Sequence, residues 1–385
     1  MSVCVKREQP KSAVFCFYYS EGSWLLVQMT GISWSSVSSG KSHHHFSDRM
    51  RVPYSFYPFK MLPPLVQTGM IYYPIIAAIG IPVNVMTIVI LSRGKCSLSR
   101  CITHYLVAMA AADLLVTITD VVLNRINDYY FPTTFLFLTP VCSFHTVLVR
   151  AATDISVWLT VAFTFDRFVT ICCQKLRTKY CTEKTAAVVI GTVCLLFCFK
   201  NIPWYFTFEP YITIDNIPWG CHQKLQYYTL TAWVAFSWID RCLTPLLPTF
   251  LILLLNALTI GHILVASRVR RRLRGTRNAV DHSDPEMESR RKSIILLFAI
   301  SGNFILLWMT YVIVFLLIQI TNQYYSTGFN DPMTIADYTS YMLLLLSCCT
   351  NTCIYAVIQT KFREELKNGM KYPLRIILTL LKQRK

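Results

Sequence analysis

Charge is what this sequence is short of. Asp, Glu, Lys and Arg make up only 15% of its 385 residues, against 54% hydrophobic residues; a soluble domain carries about 25% charged residues. Charge is missing altogether from Gly69–Ser92, Cys242–Ala266, Ser293–Asn330 and Tyr338–Thr360. Each run is long enough for the roughly 20 residues a helix needs to cross a ~30 Å hydrocarbon core. Catalytic signatures are missing too: there is no HExxH, no phosphate-cradling glycine loop and no nucleophile–base constellation, which argues against an enzyme. A secretory signal is absent, since "SWLLVQM" is too short an apolar region, so the first span is expected to act as its own insertion signal. Residues 1–60 lack an Asn-x-Ser/Thr sequon and yet carry seven Lys and Arg. Two readings follow for them: a gene-model extension, with Met50 or Met61 the true start, or a short disordered outer tail.

Three further apolar segments are broken by isolated charges: Ile102–Leu123 with Asp113 and Asp120, Pro140–Cys173 with Arg150, Asp154, Asp166 and Arg167, and Thr185–Phe199, which "NIPWYFTF" extends beyond Lys200. The total is seven spans. The expected fold is an all-α membrane protein: an extracellular segment over 1–68, a seven-helix bundle over 69–360, and a short amphipathic eighth helix with a cytoplasmic tail over 361–385. The formal net charge of +17 invites a nucleic-acid reading, but its distribution opposes one. Lys and Arg gather in alternate connections: after span 1, after span 3, between spans 5 and 6 ("SRVRRRLRGTR"), and after span 7. This positive-inside pattern places the C-terminus in the cytoplasm and the N-terminus outside. The basic surface then faces anionic membrane lipid and cytoplasmic partners.

Of fifteen Cys, most lie in spans or on the reducing side, where thiols persist. Cys221 sits in an outer connection and Cys142 at the outer start of span 3; these two are the expected disulfide, with Cys242 as competitor. No His/Cys spacing suggests zinc, and "HHH" at 43–45 is a polar tract in the N-terminal segment.

Motifs along the spans carry a family resemblance. Span 1 has Asn84 in "GIPVN", span 2 has Asp113 in "LVAMAAADLL", and span 3 has Asp166-Arg167-Phe168. Span 5 has Pro248, span 6 has Phe304 and Trp308 in "FILLW", and span 7 has Asn351 and Tyr355 in "NTCIY", followed by "KFREEL". In this order and at these depths they resemble the rhodopsin-like (class A) G-protein-coupled receptors over about residues 65–370. "NIPWYF", "RCLTPLLPTFLILLLN" and "LRG" are similar to the orphan subgroup around probable G-protein coupled receptor 139. That resemblance implies aromatic amino acid or peptide ligands and signalling through Gq-type heterotrimeric G proteins. Departures from the family pattern are Thr352 and Thr310 at its usual prolines, no Trp within span 4, Asn256 at the usual span-5 Tyr, and Arg290 where many members carry an acid.

An ionisable residue within a span marks a functional site by default. At about 100° per residue, Val149, Ser156 and Arg167 share one stripe of span 3 that faces the bundle interior. At mid-depth, Asp113 has Ser156, Ser347 and Asn351 as polar partners with Asn84 nearby; the resemblance implies a sodium ion there, and a protonated, hydrogen-bonded Asp113 is the alternative. Towards the outside, Val149 stands where amine receptors carry an Asp, which disfavours a simple amine ligand. Arg150, Asp154, Asp120 and the adjacent Asp240 and Arg241, with Trp308 and Phe304 for an apolar ring, suggest a pocket of both signs for a zwitterion; an internal Arg150–Asp154 pair is the alternative. Towards the inside, the resemblance assigns activation and G-protein coupling to Asp166, Arg167, Pro248, Asn256, Arg290, Phe304 and Tyr355. Arg290 cannot form an ion pair with Arg167, so high basal activity is expected. Ser283 and Ser289 are better phosphorylation candidates than the tail, whose one Ser or Thr is Thr379. The rival class is a multi-span transporter of a zwitterion, which would favour internal repeats and broken helices; no repeat is found.

Overall fold

The computed structural model describes residues 2–6, 14–20, 23–29, 59–94, 96, 98–131, 134–274, 285–321 and 328–369, with backbone alone for 2–29, 174 and 270–290. The chain divides into two compact units, 1–62 with 128–132, and 63–127 with 133–385. The first holds an antiparallel sheet of β1 (Ser2–Lys6), β2 (Val14–Ser20) and β3 (Ser23–Met29), in the order β1-β2-β3. Val3 pairs with Phe17 and Phe17 with Leu26. These segments are dense in Val, Phe, Tyr and Trp, which favour strands.

The second unit is a helical bundle. Its helices are α1 (Pro64–Ser92), α2 (Arg100–Val116, continuing as a π-helix over Thr117–Ile126), α3 (Thr139–Cys172) and α4 (Glu183–Asn201). They continue with α5 (Thr231–Arg241, a π-turn Cys242–Leu246, then Leu247–Arg274), α6 (Pro285–Thr321) and α7 (Pro332–Ile358). A helix over 360–369, α8, follows. Among the described residues, seven helices are long and apolar enough to cross a membrane. Local signals set their starts: the Ser99 side chain caps α2 by accepting from the Ile102 amide, and Asp331 caps α7 by accepting from the Thr334 amide at 3.1 Å.

Burial ranks the helices. In its most apolar window α3 is 61% buried and α4 only 17%, so α3 is the central post. The outward faces of α4 and α5, with Leu195, Leu196, Phe199 and Phe250 exposed, are lipid-facing surface. The core gathers Tyr105, Leu106, Met109, Leu159, Phe163, Leu296, Ile300 and Tyr355 between α2, α3, α6 and α7. Phe362 of α8 packs on the Tyr355 ring at 6.0 Å, which pins α8 to the bundle.

The seam between α1 and α7 is unusually close. A Cβ at Gly80 would lie 2.7 Å from Cys349 Sγ. One turn on, Asn84 donates to the Cys348 carbonyl at 2.9 Å. One turn further, the Thr87 and Thr352 hydroxyls meet at 2.8 Å. Small residues allow such approach in membrane bundles, and hydroxyl pairs hold it. Thr352, at the family's usual proline, thus bonds to the neighbouring helix.

Candidate functional site

The two ends of the bundle are marked by a disulfide and by a buried arginine. Cys142, at the start of α3, is bonded to Cys221 in the connection between α4 and α5, with Cα atoms 6.2 Å apart. Cys242, the competing partner, is a free thiol. The connection carries two short hairpins: β4 (Phe208–Glu209) with β7 (His222–Gln223), and inside them β5 (Ile212–Ile214) with β6 (Ile217–Trp219). Asp215 and Asn216 turn the inner hairpin at φ 51° and 61°, the left-handed pair that a two-residue turn requires.

Near the disulfide end, two charge clusters are built from different helices. The π-helical stretch of α2 turns Asp120 fully inward; a π-turn shifts the helix face and often marks a functional site. Asp120 forms an ion pair with Arg125 at 3.4 Å and accepts from Asn124 at 3.0 Å and from the Tyr341 hydroxyl of α7. The Arg125 guanidinium lies 4.3 Å from the Tyr341 ring centre.

The second cluster joins α3, α4 and α5. Lys200 donates to Asp154 at 2.7 Å and to Asp240; Asn201 also donates to Asp154 at 2.7 Å, and Arg150 donates to Asp240 at 3.2 Å. The Arg150 guanidinium stacks 3.5 Å from the Trp204 ring centre, a cation–π contact. The four charges cancel. The Arg150–Asp154 pair that helical spacing offered as the alternative is not formed: Asp154 turns to Lys200 on α4, and Arg150 reaches Asp240 on α5. Asp120 and Asp154 are thereby committed to internal partners. Lys200 was not singled out as a site residue, because it sits where its span meets a connection in the sequence.

The remaining candidates lie on α3, α5 and α6. Val149 is half-buried one position before Arg150. Trp308 is buried and donates to Ser347 at 3.3 Å, with the Phe304 ring stacked on it at 5.1 Å. Tyr311, one turn along α6, lies 6.3 Å from both the Trp308 and Tyr341 rings. Arg241 lies 5.6 Å from the Phe315 ring.

At mid-depth, Ser156 and Asn351 donate to the two Asp113 oxygens at 2.6 and 2.8 Å. A cavity of about 10 Å³ adjoins them, bounded also by Asn303, Phe304, Trp308 and Ser347. That is the scale of one water or one small ion, and its polar lining is Asp113, Ser156, Asn303, Ser347 and Asn351. Asn84 takes no part in this lining, because its amide is spent on the Gly80 and Cys348 carbonyls. Asn303 joins the cavity instead and donates to Thr350 at 2.8 Å. Among the described residues, no group of three or more His, Cys, Asp or Glu is arranged to hold a metal.

At the other end, Arg167 is 2% exposed. Its Nε donates to Asp166 at 3.0 Å, Nη2 adds a second bond to the same oxygen, and Nη1 donates to Ser293 of α6 at 3.3 Å. Cys101 of α2 donates to the other Asp166 oxygen at 3.3 Å. Ser293 is the residue that sequence reading missed; it ties α3 to α6 without an ion pair. Thr170 and Cys181 meet at 3.1 Å beside Asp166, and burial pushes the Cys181 thiol up, keeping it neutral. Ser301 donates to Asn256 at 3.1 Å, a link between α5 and α6 where the family pattern has Tyr. Pro248 is buried in α5, and the buried Tyr355 hydroxyl has no partner among the described residues. The side chains of Arg290 and Ser289, and residues Ser283, Thr379 and 43–45, lie outside the described residues.

Comparison with known proteins agrees with this architecture. The chain is 24% identical over 311 residues to the tachykinin-like peptides receptor 86C of Drosophila melanogaster, covering 77% of this chain and 56% of that protein. It is 26% identical over 306 residues to probable G-protein coupled receptor 142 of Mus musculus, covering 77% and 71%. The chain thus spans little more than half the length of the first of these. The sequence profile of the seven-transmembrane receptors of the rhodopsin family matches residues 83–355. With seven membrane-spanning helices, a disulfide from α3 to the following outer connection and a buried arginine at the far end of α3, the chain belongs to the rhodopsin family of G-protein-coupled receptors.

Proposed function

We propose that this receptor sits in the plasma membrane with its N-terminus outside, binds a zwitterionic ligand near the disulfide, and activates a Gq-type heterotrimeric G protein. The ligand class is an aromatic amino acid or a small peptide presenting a charged terminus. The observation that carries this reading is the pairing of both charge signs with aromatic side chains at one end of the bundle: Arg150 on Trp204, Arg241 by Phe315, Asp120 bonded to Tyr341, and the Trp308–Tyr311–Tyr341 ring series. The name of the Drosophila relative, a receptor of tachykinin-like peptides, supports a peptide. A carboxylate taken up by Arg150 competes with Asp240 and loosens the tie between α3 and α5. Release of the Arg167–Ser293 bond then frees the inner half of α6, and a Gα subunit enters the gap. The ligand shifts this equilibrium only by its difference in affinity for the two packings. A sodium ion fits beside Asp113, held by oxygens of Asp113, Ser156, Ser347 and Asn351; it would add positive charge to a buried carboxylate and favour the closed packing.

The test is calcium release in transfected cells challenged with amino acids and small peptides, paired with nucleotide exchange on purified Gα. A response to aromatic amino acids or peptides with exchange on Gq supports the proposal. Solute uptake into vesicles lacking G protein, with no exchange on any Gα, would place the chain with transporters in function.

A further inference from the structure

A second cavity, of about 210 Å³, lies on the flank of the bundle near the disulfide. Its walls come from the start of α3, from the 3-10 turn Ile202–Thr207 that extends α4, and from the connection between α4 and α5. None of the described residues that line it belongs to α5, α6 or α7, so it stands apart from the bundle interior. Thr139 and Thr207 end the third and fourth membrane-spanning stretches on this side, which puts the cavity at the level of the membrane surface. Tyr205 and Phe206, two of its walls, are exposed there.

The polar groups of the lining decide what fits. The Thr139 hydroxyl is spent on the Gly220 carbonyl at 2.7 Å, and the Ser143 hydroxyl lies 3.6 Å from Cys221 Sγ. Lys224 is half-buried, and its backbone amide donates to the Thr207 carbonyl at 2.9 Å. Among the described residues Lys224 makes no ion pair. The acid beside Phe208, Glu209, instead faces His222 across the β4–β7 hairpin at 3.8 Å. The other walls are proline or aromatic side chains. A peptide or a sugar would bury several polar groups here without partners, at a cost of about 1–3 kcal/mol for each. A carboxylate on an apolar chain needs one cation and nothing more. The volume is below the roughly 300–1,000 Å³ of drug-sized sites. It suits a head group and the first part of one chain, with the remainder lying on the exposed Ile202 and Phe206 side chains.

We infer that this flank cavity binds a long-chain fatty acid, its carboxylate on the Lys224 ammonium and its chain running past Tyr205 and Phe206 into the hydrocarbon. A lysine at the membrane surface keeps its charge in the polar layer while its stem lies on apolar surface, which is where the head of a membrane-dissolved acid resides. The site is separate from the zwitterion pocket and does not depend on it. Its walls join α3 to the connection that Cys142–Cys221 anchors, so an occupant braces that connection against the outer end of α3.

The experiment uses the purified full-length receptor in phosphatidylcholine nanodiscs, with binding of tritiated palmitate read by scintillation proximity. Binding should saturate at one palmitate per receptor. Unlabelled hexadecanol, which keeps the chain and lacks the charge, should compete about tenfold or more less well. Lys224→Gln should weaken palmitate by a similar factor, and Lys224→Arg should retain it. Phe206→Glu, which sets an acid at the exposed mouth, should weaken palmitate too and serves where Lys224→Gln fails to fold. Arg150→Met, inside the bundle, should leave palmitate binding unchanged. Binding that does not saturate, equal competition by hexadecanol, or equal affinity in Lys224→Gln and Phe206→Glu would overturn the site. Loss in Arg150→Met alone would overturn it by moving the palmitate into the bundle. Displacement of palmitate by phosphatidylglycerol added to the nanodiscs, as effective as by free palmitate, would overturn the fatty acid in favour of a bilayer phospholipid.

Discussion

Replacing Lys200 by Met probes the charge balance joining α3, α4 and α5. In the wild type two carboxylates, Asp154 and Asp240, face two cations, Lys200 and Arg150. The Lys200 side chain is 16% exposed, those of Asp154 and Asp240 6% and 10%. Lys200→Met leaves Asp240 with Arg150 but strips Asp154 of its one cation among the described residues, leaving it the Asn201 amide as hydrogen-bond donor. Breaking a buried pair by removing one partner costs about 3–5 kcal/mol. For a bundle of this size that is a fall in melting temperature on the order of 5–15 °C. Adding Asp154→Asn restores one anion to one cation in contact, Asp240 with Arg150, and should recover most of the loss. Adding Asp240→Asn instead leaves Asp154 and Arg150, which do not touch, and should recover much less. The assay is thermal unfolding of the purified receptor in detergent, followed by a thiol-reactive dye or by tryptophan emission. Equal recovery by the two double variants, or a neutral Lys200→Met, would refute the accounting.

Further expectations concern the other parts of the bundle. Ser293→Ala removes the bond from Arg167 to α6; hydrogen bonds to charged groups contribute about 1.5–3 kcal/mol, so basal nucleotide exchange should rise about 10–150-fold, up to the ceiling of full activation, and Ser293→Thr should restore wild-type exchange. Replacing N-methylglucamine by sodium at constant ionic strength should lower agonist affinity, and Asp113→Asn should abolish that dependence. The Cys142–Cys221 bond closes a separation of 79 residues, a constraint of about 4 kcal/mol in a free chain. Cys142→Ser, Cys221→Ser and the double variant should therefore lose surface expression to the same extent, measured by flow cytometry.

What could be read from the sequence was whatever the hydrocarbon imposes. A spanning helix must be a continuous apolar run, and so the seven helices are visible as such. Asp113, Ser156 and Asn351 could be brought together because a lone acid in such a run needs polar partners, and helical geometry limits the choice. Arg150 illustrates the limit. Spacing along α3 offers Asp154, but the partner depends on how α4 and α5 are rotated about their own axes, which an apolar run does not encode. Ser293 and Asn303 carry no charge to draw attention, and the strands over 2–29 were hidden by an opening segment that looked atypical for any compartment.

The close seam of Gly80, Asn84 and Thr87 against Cys348, Cys349 and Thr352 has a mechanical meaning. With no spare volume at Gly80 and hydroxyl and amide bonds along the next two turns, α1 and α7 behave as a single two-stranded beam over this stretch. A beam can tilt but cannot shear. Any rearrangement of the bundle must then be hinged elsewhere, with α6 swinging against a fixed wall, and α8, pinned through Phe362, travels with that wall and not with the moving part.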